Sequence, residues 1–482
     1  MFDRVRTRFA PSPTGDLHLG GLRTALYNYL FAQHHGGDFI VRFEDTDLER
    51  NKSNVEKKLL ADLRWIGIQI AESVDQPGPY APYRQSDRLA FYREVGTRLI
   101  RQKKAYYCFC TKEQLTQERD QQLQSGKKAP QYSKKCLKLS SEQVQKFLVS
   151  QKSHCIRLNI QPKQTIKFLD LVYGEMVFYT EHIEDFVLIK SDNYPTYNFA
   201  VVVDDHLMKI SHIWRGSDHL SNTPKQILLY QTLDWSIPTF GHLTLIKTTT
   251  TTKMSKRRAD PMHFLTYYID QGYLPLGLAN YLVLLGWCPD LTQEIFTMDE
   301  MIHLFDGQKL NRAQSVFDFG KLNWVNRQHL TTLSSKEFEH SIHSYALAAQ
   351  NRHTLSKAQL SQMITTVRGQ ISYFAQIDQA IDTFFVESIS YTPEQIVWLK
   401  TERATLATFT EALLRLTTWE EQQLGEQLQI SQKESSLSKK GFFRLIKVVL
   451  TGKPKTFRLK MIIFLLGRDR VLRLLKQLLA QI

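Results

Sequence analysis

Two short segments, remote in the chain, carry the residue types that handle phosphate: His18-Leu19-Gly20-Gly21 and Lys253-Met254-Ser255-Lys256. The first stands where a strand is predicted to turn into an amphipathic helix, with Leu19, Leu22, Leu26, Tyr29 and Leu30 at helical spacing. Asp16 is the expected N-cap. A helix start offers unpaired N–H groups and the positive end of a dipole, and glycine lets an anion approach closely. The lysine loop would close on the same phosphates from the other side. Alone, each tetrapeptide recurs as a plain turn or a solvated lysine loop. Together they predict an ATP site built from two loops.

With Arg8, Pro11 and Pro13 upstream of the histidine, the pair resembles the signatures of class I aminoacyl-tRNA synthetases. Gly21 is similar to the glycine that ends the first signature in the bacterial-type glutamyl branch. Further blocks resemble that branch in its order: Arg42-Phe43-Glu44-Asp45-Thr46-Asp47, residues 191–208 around Tyr197 and Asp204-Asp205, residues 215–226 from Arg215 to Gln226, and residues 316–326. The resemblance spans most of residues 1–330 and is looser beyond, where Leu450-Thr451-Gly452 and residues 464–472 match the end of the family's C-terminal domain. It implies an α/β Rossmann-like class I catalytic domain with an inserted connective module, followed by a mainly α-helical anticodon-binding domain.

The activity implied is attachment of L-glutamate to tRNA(Glu), through an adenylate made from ATP with Mg2+. No enzyme nucleophile is needed, so catalysis reduces to positioning and to neutralising phosphate charge. The resemblance assigns Pro11, Gly15, His18, Gly20, Gly21, Lys253, Met254, Ser255 and Lys256 to ATP, with His18, Lys253 and Lys256 meeting the reacting phosphates. Arg8 and Tyr197 would hold the side-chain carboxylate of glutamate, Ser12 and Arg215 the rest of it, and Glu44 its ammonium. Which arginine meets which carboxylate stays open. Asn198 stands where some relatives have histidine, which leaves its polar partner open too.

A chain of 482 residues holds several domains, each able to bury a core. Five cysteines and no charged-then-apolar leader predict a reducing compartment, the cytoplasm, and no membrane partner. Net charge is +14, and from residue 439 onward twelve Lys or Arg face one acid, Asp469, a tail of +11. Such a tail on a nearly balanced body suits a polyanion, here tRNA. The expected working form is a monomer that charges tRNA(Glu); use of tRNA(Gln) stays open.

The chain is expected to divide into a first catalytic half (1–105), a connective module gripping the acceptor end (106–188), a second catalytic half (189–240), a stem-contact region with the lysine loop (241–329) and the helical domain (330–482). Phe39–Phe43 is an unbroken apolar strand ending in acids, as buried parallel strands near ligands do. Ala200-Val201-Val202-Val203 is expected to continue the sheet. Five threonines, residues 248–252, precede the lysine loop and would stiffen it.

Cys108, Cys110 and Cys136 invite a zinc reading, and some relatives add a histidine two residues later. Lys138 occupies that position, so inert buried thiols and no metal are expected. Three alternatives compete with the main reading. A glutamine-specific synthetase would need an amide-reading pocket. A shorter paralogue that glutamylates a tRNA base would lack the residues beyond 330. A decayed, non-catalytic RNA-binding relative would have lost His18, Glu44 or Lys256, which are all present.

Overall fold

The computed structural model describes residues 3–46, 54–247, 260–287, 289, 292–382, 384–385, 389–453 and 459–482. Asp47, the threonine run and Lys253, Met254, Ser255 and Lys256 lie outside the described residues. The chain forms two compact units, Met1–Tyr267 with Leu278–Phe319, and Tyr268–Gly277 with Gly320–Ile482.

The first unit opens with β1 (Arg6–Phe9), α1 (Leu19–His34) and β2 (Asp38–Val41), and the two strands run parallel with Arg8 beside Ile40. All five apolar positions expected on one face of α1 are buried, but so are Arg23, Ala25, Tyr27, Asn28, Phe31 and Ala32. The helix is therefore central rather than amphipathic, because it is packed on every side. Its N-cap is His18, whose ring accepts the Gly20 N–H, whereas Asp16 pairs with Lys58 at 3.0 Å.

Helices α2 (Val55–Trp65) and α3 (Leu89–Arg101) lead to β3 (Ala105–Cys108), the capped, charged α4 (Lys112–Gln124) and α5 (Ser141–Val149). Strands β4 (Cys155–Leu158), β5 (Thr165–Asp170), β6 (Gly174–Tyr179) and β7 (Val187–Ile189) follow. Strands β3, β4 and β7 make one antiparallel sheet. The hairpin β5–β6 instead joins β8 (His212–Gly216) and β9 (Thr239–Leu243) in the order β6-β5-β9-β8. Two strands from within residues 106–188 thus share a sheet with β8, which lines the cavity described below.

Ala200–Val203 is not a strand. It lies in α6 (Tyr197–Leu207), with every one of the four residues buried. A short β-branched run reads alike for a buried strand and a buried helix, and tertiary packing overrides the weak local preference. Helix α7 (Thr223–Thr232) completes this layer, with a core that joins Phe199, Val202, Ile213, Ile227 and Phe240. In β9, a Cβ on Gly241 would stand 2.2 Å from the Trp214 ring, so only glycine lets that indole pack flat on the strand.

The second unit is helical, from Ser335–Arg352 to Arg468–Gln481, around one core that includes Phe338, Ile342, Phe409, Phe442 and Leu475. Capping boxes start three of its helices, at Ser334, Ser356 and Thr392. In the basic tail the apolar residues face this core, while Lys439, Lys440, Arg444, Lys453, Arg473 and Lys476 are exposed.

Candidate active site

A cavity of about 560 Å³ in the first unit is lined by Arg8, Pro11, Ser12, His18, Gly20, Gly21, Glu44, Tyr197 and Arg215, among others. This is ample for a small ligand. All the expected amino-acid residues and four of the five described nucleotide residues meet there. Gly15 is not among the lining; at φ 149°, with open space where a Cβ would stand, it serves the turn.

The parallel ladder sets the floor. Arg42 N–H donates to Phe9 O at 3.0 Å and Glu44 N–H to Pro11 O at 3.0 Å, which carries Glu44 alongside the signature loop. His18 Nδ1 accepts from Gly20 N–H at 3.1 Å, so the neutral ring holds its proton on Nε2. That N–H and the start of α1 form an electropositive end to the cavity.

On one wall, Arg8 Nε donates to Asp205 at 3.2 Å, and Arg42 Nη1 reaches the same carboxylate at 2.7 Å. Arg42 also lies 3.6 Å from Glu44 and 3.6 Å from Asp204, which is bound in turn by Arg88 at 2.6 Å, Tyr92 and Gln85. Burial opposes ionisation of Asp205, but Arg8 and Arg42 outweigh it and hold its pKa below the ordinary range. For Glu44 the balance goes the other way. Burial, with help from Asp205 and Asp204, pushes its pKa up to about 7 against the pull of Arg42 and Arg8.

On the opposite wall stand Arg215, Tyr197 and His219. Tyr197 Oη and His219 Nδ1 are 3.0 Å apart. Burial, then Glu44, raises the phenol to about 12, while burial, then Arg215, lowers the imidazole to about 4. Arg215 donates to His242 Nε2 at 3.1 Å and to Thr223 Oγ1 at 2.7 Å, and burial depresses its pKa. Asn198 finds its partner in Gln226, at 3.0 Å.

Sequence reasoning passed over Asp205, Arg42, His219, His242 and Asp170 as functional groups. For two of them a signal existed. Arg42 and Asp205 are charges inside or directly after apolar runs, and a buried charge must be paired.

The cysteines come together as well. The Sγ atoms of Cys108, Cys110 and Cys136 lie within 4.8 Å of one another. Tyr132 Oη is 3.4 Å from both Cys108 and Cys110, and Cys155 stands opposite Cys108 across β3 and β4. Hydrogen bonds with Cys136 and Cys155 hold the Cys108 thiol well below its ordinary range. Zinc bonds of about 2.3 Å place tetrahedral sulfurs about 3.8 Å apart. The three thiols fit that spacing, whereas Cys155 does not lie within 4.8 Å of all of them; Tyr132 Oη, beside two of the thiols, is the further oxygen at the cluster.

An ATP-type helix start, two arginines and an acid in one cavity, and a separate helical unit define an amino-acid-activating enzyme of the synthetase type. Residues 4–324 match the family described as tRNA synthetases class I (E and Q), catalytic domain, and the chain belongs to it; residues 337–479 match an anticodon binding domain. The chain is 41% identical over 483 residues to the glutamate–tRNA ligase of Geobacillus thermodenitrificans (strain NG80-2), covering 99% of each. To that of Geobacillus stearothermophilus it is 41% identical over 487 residues, covering 100% of each. Among solved structures, the glutamate-tRNA synthetase of Elizabethkingia anophelis superposes with a TM-score of 0.86 at 32% identity, covering 99% of this chain and 100% of that one. A glutamate tRNA ligase of Elizabethkingia meningosepticum CCUG26117, in complex with its amino acid, gives 0.84 at 32% identity, covering 99% of each.

Proposed function

We propose that this chain joins L-glutamate to tRNA(Glu) in two steps. A glutamate carboxylate oxygen bonds to the α-phosphorus of ATP as pyrophosphate leaves; a ribose hydroxyl of the tRNA's terminal adenosine then takes the acyl group and AMP leaves. The observation that carries this reading is the single cavity in which Arg8, Arg215 and Glu44 face the helix start at His18. Two cations and one acid complement a dicarboxylate that bears an ammonium.

His18 would donate its Nε2 proton to an α- or β-phosphate oxygen, and Lys256, helped by Lys253, would neutralise the departing pyrophosphate. Mg2+ accompanies ATP as part of the substrate. Glu44 in its ionised form would pair with the ammonium, while Arg8, Ser12, Tyr197 and Arg215 hold the carboxylates. The exposed lysines and arginines of the tail would meet tRNA phosphate. A structural zinc, held by Cys108, Cys110 and Cys136 with Tyr132 beside them, would tie the end of β3 to the turn at Cys136; it would take no part in the reaction. We place the enzyme in the cytoplasm as a monomer. No helix of the described residues is long and apolar enough to cross a membrane.

Charging of purified tRNA(Glu) and tRNA(Gln) with labelled glutamate, with glutamine as control, tests the reading. Acid-stable tRNA-linked counts that depend on ATP are expected with glutamate. Charging with glutamine alone would overturn it, and the tRNA(Gln) arm decides the breadth of tRNA use.

A further inference from the structure

Behind Arg215, outside the lining of the cavity, two buried side chains form a relay. Asp170, at the end of β5, accepts through Oδ1 the N–H groups of Val172 and Tyr173, each at 2.9 Å, and of His242 at 3.3 Å. Its other oxygen, Oδ2, stands 2.5 Å from His242 Nδ1. A carboxylate only accepts, so the imidazole proton lies on Nδ1 and Nε2 is left with its lone pair. That lone pair receives the Arg215 Nε–H at 3.1 Å and faces Thr223 Oγ1 at 3.0 Å. Thr223 Oγ1 in turn accepts from Arg215 Nη2 at 2.7 Å. Two of the three guanidinium nitrogens are thereby fixed. The third, Nη1, is buried and has no hydrogen-bond partner among the described residues.

We propose that Asp170 and His242 are positioning residues that set the orientation of Arg215 through the imidazole tautomer, and so set the enzyme's selection of its carboxylate substrate. The proposal rests on the reading of Arg215 as a substrate contact. Asp170 locks the Nδ1–H form, which makes His242 an acceptor toward Arg215; the opposite tautomer would set N–H against N–H and turn the guanidinium away. A carboxylate that fixes an imidazole's tautomer is a known device in enzymes.

The distinction between structure and orientation can be measured. In Asp170→Asn, the Oδ1 site must remain oxygen to receive the backbone N–H groups, so the amide NH2 takes the Oδ2 site and donates to Nδ1. The ring proton then moves to Nε2. Glutamate KM in aminoacylation at saturating ATP and tRNA is expected to rise on the order of 10- to 100-fold, as small misplacements of a contact do, with ATP KM unchanged. Nitrogen-15 NMR of the imidazole should report the switch from the Nδ1–H to the Nε2–H form.

His242→Gln keeps an acceptor near the Nε2 position without any tautomer, so Asp170→Asn added to it should raise KM no further. His242→Asn keeps a donor for Asp170 and loses the acceptor, so it should impair glutamate use more than His242→Gln does. That pair decides the matter should Asp170→Asn fold poorly. Glutamate KM within twofold of wild type in Asp170→Asn, equal harm from it in both backgrounds, or a worse outcome for Gln than for Asn would each overturn the relay. If Arg215→Lys also leaves glutamate KM unchanged, it is the placement of Arg215 at the substrate that fails; if Arg215→Lys raises KM while Asp170→Asn does not, only the relay fails.

Discussion

The two walls of the cavity hold their arginines by different means. Around Arg8, cations and carboxylates alternate: Arg8 and Arg42 share Asp205, Arg42 and Arg88 flank Asp204, and Glu44 stands beside Arg42. Around Arg215 the partners are neutral, an imidazole and a hydroxyl. Among the described residues no carboxylate lies within ion-pair distance of it. The Arg8 wall is therefore electrostatically satisfied before substrate arrives, and the Arg215 wall is not. A buried cation without a counter-charge is unfavourable, and burial indeed depresses the Arg215 pKa. On the proposed reading, Arg8 serves folding as well as substrate, and Arg215 keeps its charge for an incoming carboxylate.

The largest effect expected from this contrast is at Arg215. Arg215→Leu should lower kcat/KM for glutamate by about 100- to 1,000-fold, the equivalent of about 3–4 kcal/mol, with a Tm no lower than wild type. Arg8→Leu should also lose glutamate use, glutamine suffering less in proportion, but its Tm should fall because Asp205 loses a partner. Calorimetry beside aminoacylation kinetics checks both; stability losses in the reverse order would break the comparison. Next, Asp205→Asn strips a counter-charge from two buried arginines at once. It should destabilise the protein by about 3 kcal/mol and lower kcat/KM on the order of tenfold, read by denaturant titration and the same assay.

A smaller effect is expected with pH. The Glu44 carboxyl, pushed up to about 7, must be ionised to hold an ammonium. Protonation below that value removes the partner, so kcat/KM for glutamate should fall by up to about tenfold per unit as pH drops below 7. Glu44→Gln should be slower and flat from pH 6 to 8. The sign for folding is opposite: with the folded pKa above the unfolded one, Glu44 weakens stability as pH rises from the ordinary carboxyl value of about 4.3 toward 7. A rate that rises as pH falls would exclude the role. Smallest of all should be the effect of the thiol cluster on amino-acid selection. Metal analysis is expected to find about one zinc per chain, and Cys110→Ser to lose zinc and Tm while glutamate KM stays within about twofold. Neither the three thiols nor Tyr132 lines the cavity.

How much of this was legible beforehand follows the reach of spacing as a signal. His18, Gly20, Gly21, Arg8, Glu44, Tyr197 and Arg215 sit in blocks with local patterns, and they share one cavity. The hairpin β5–β6 corresponds to an alternation in the sequence, and α4 to the polar run after Lys112. Asp170 and His242 were not legible, because their meaning is a contact between β5 and β9 separated by 72 positions. Tyr132 was not legible for the same reason: it reaches Cys108 and Cys110 across 24 and 22 positions. The Ala200–Val203 run misled because uniform burial erases the period that separates helix from strand.

The pairing of β5 with β9 has a consequence for how such a chain could be rebuilt. Residues 106–188 look like a cassette, bounded at both ends by catalytic segments, and invite exchange as a way to alter tRNA preference. The hairpin within that stretch, however, extends the sheet that carries Arg215, with Asp170 beside Phe240. A graft cut at those borders would replace part of the sheet behind Arg215, Asp170 included, together with the intended module. Transplants that leave residues 165–179 with their host, and trade only the chain around them, should retain choice of amino acid.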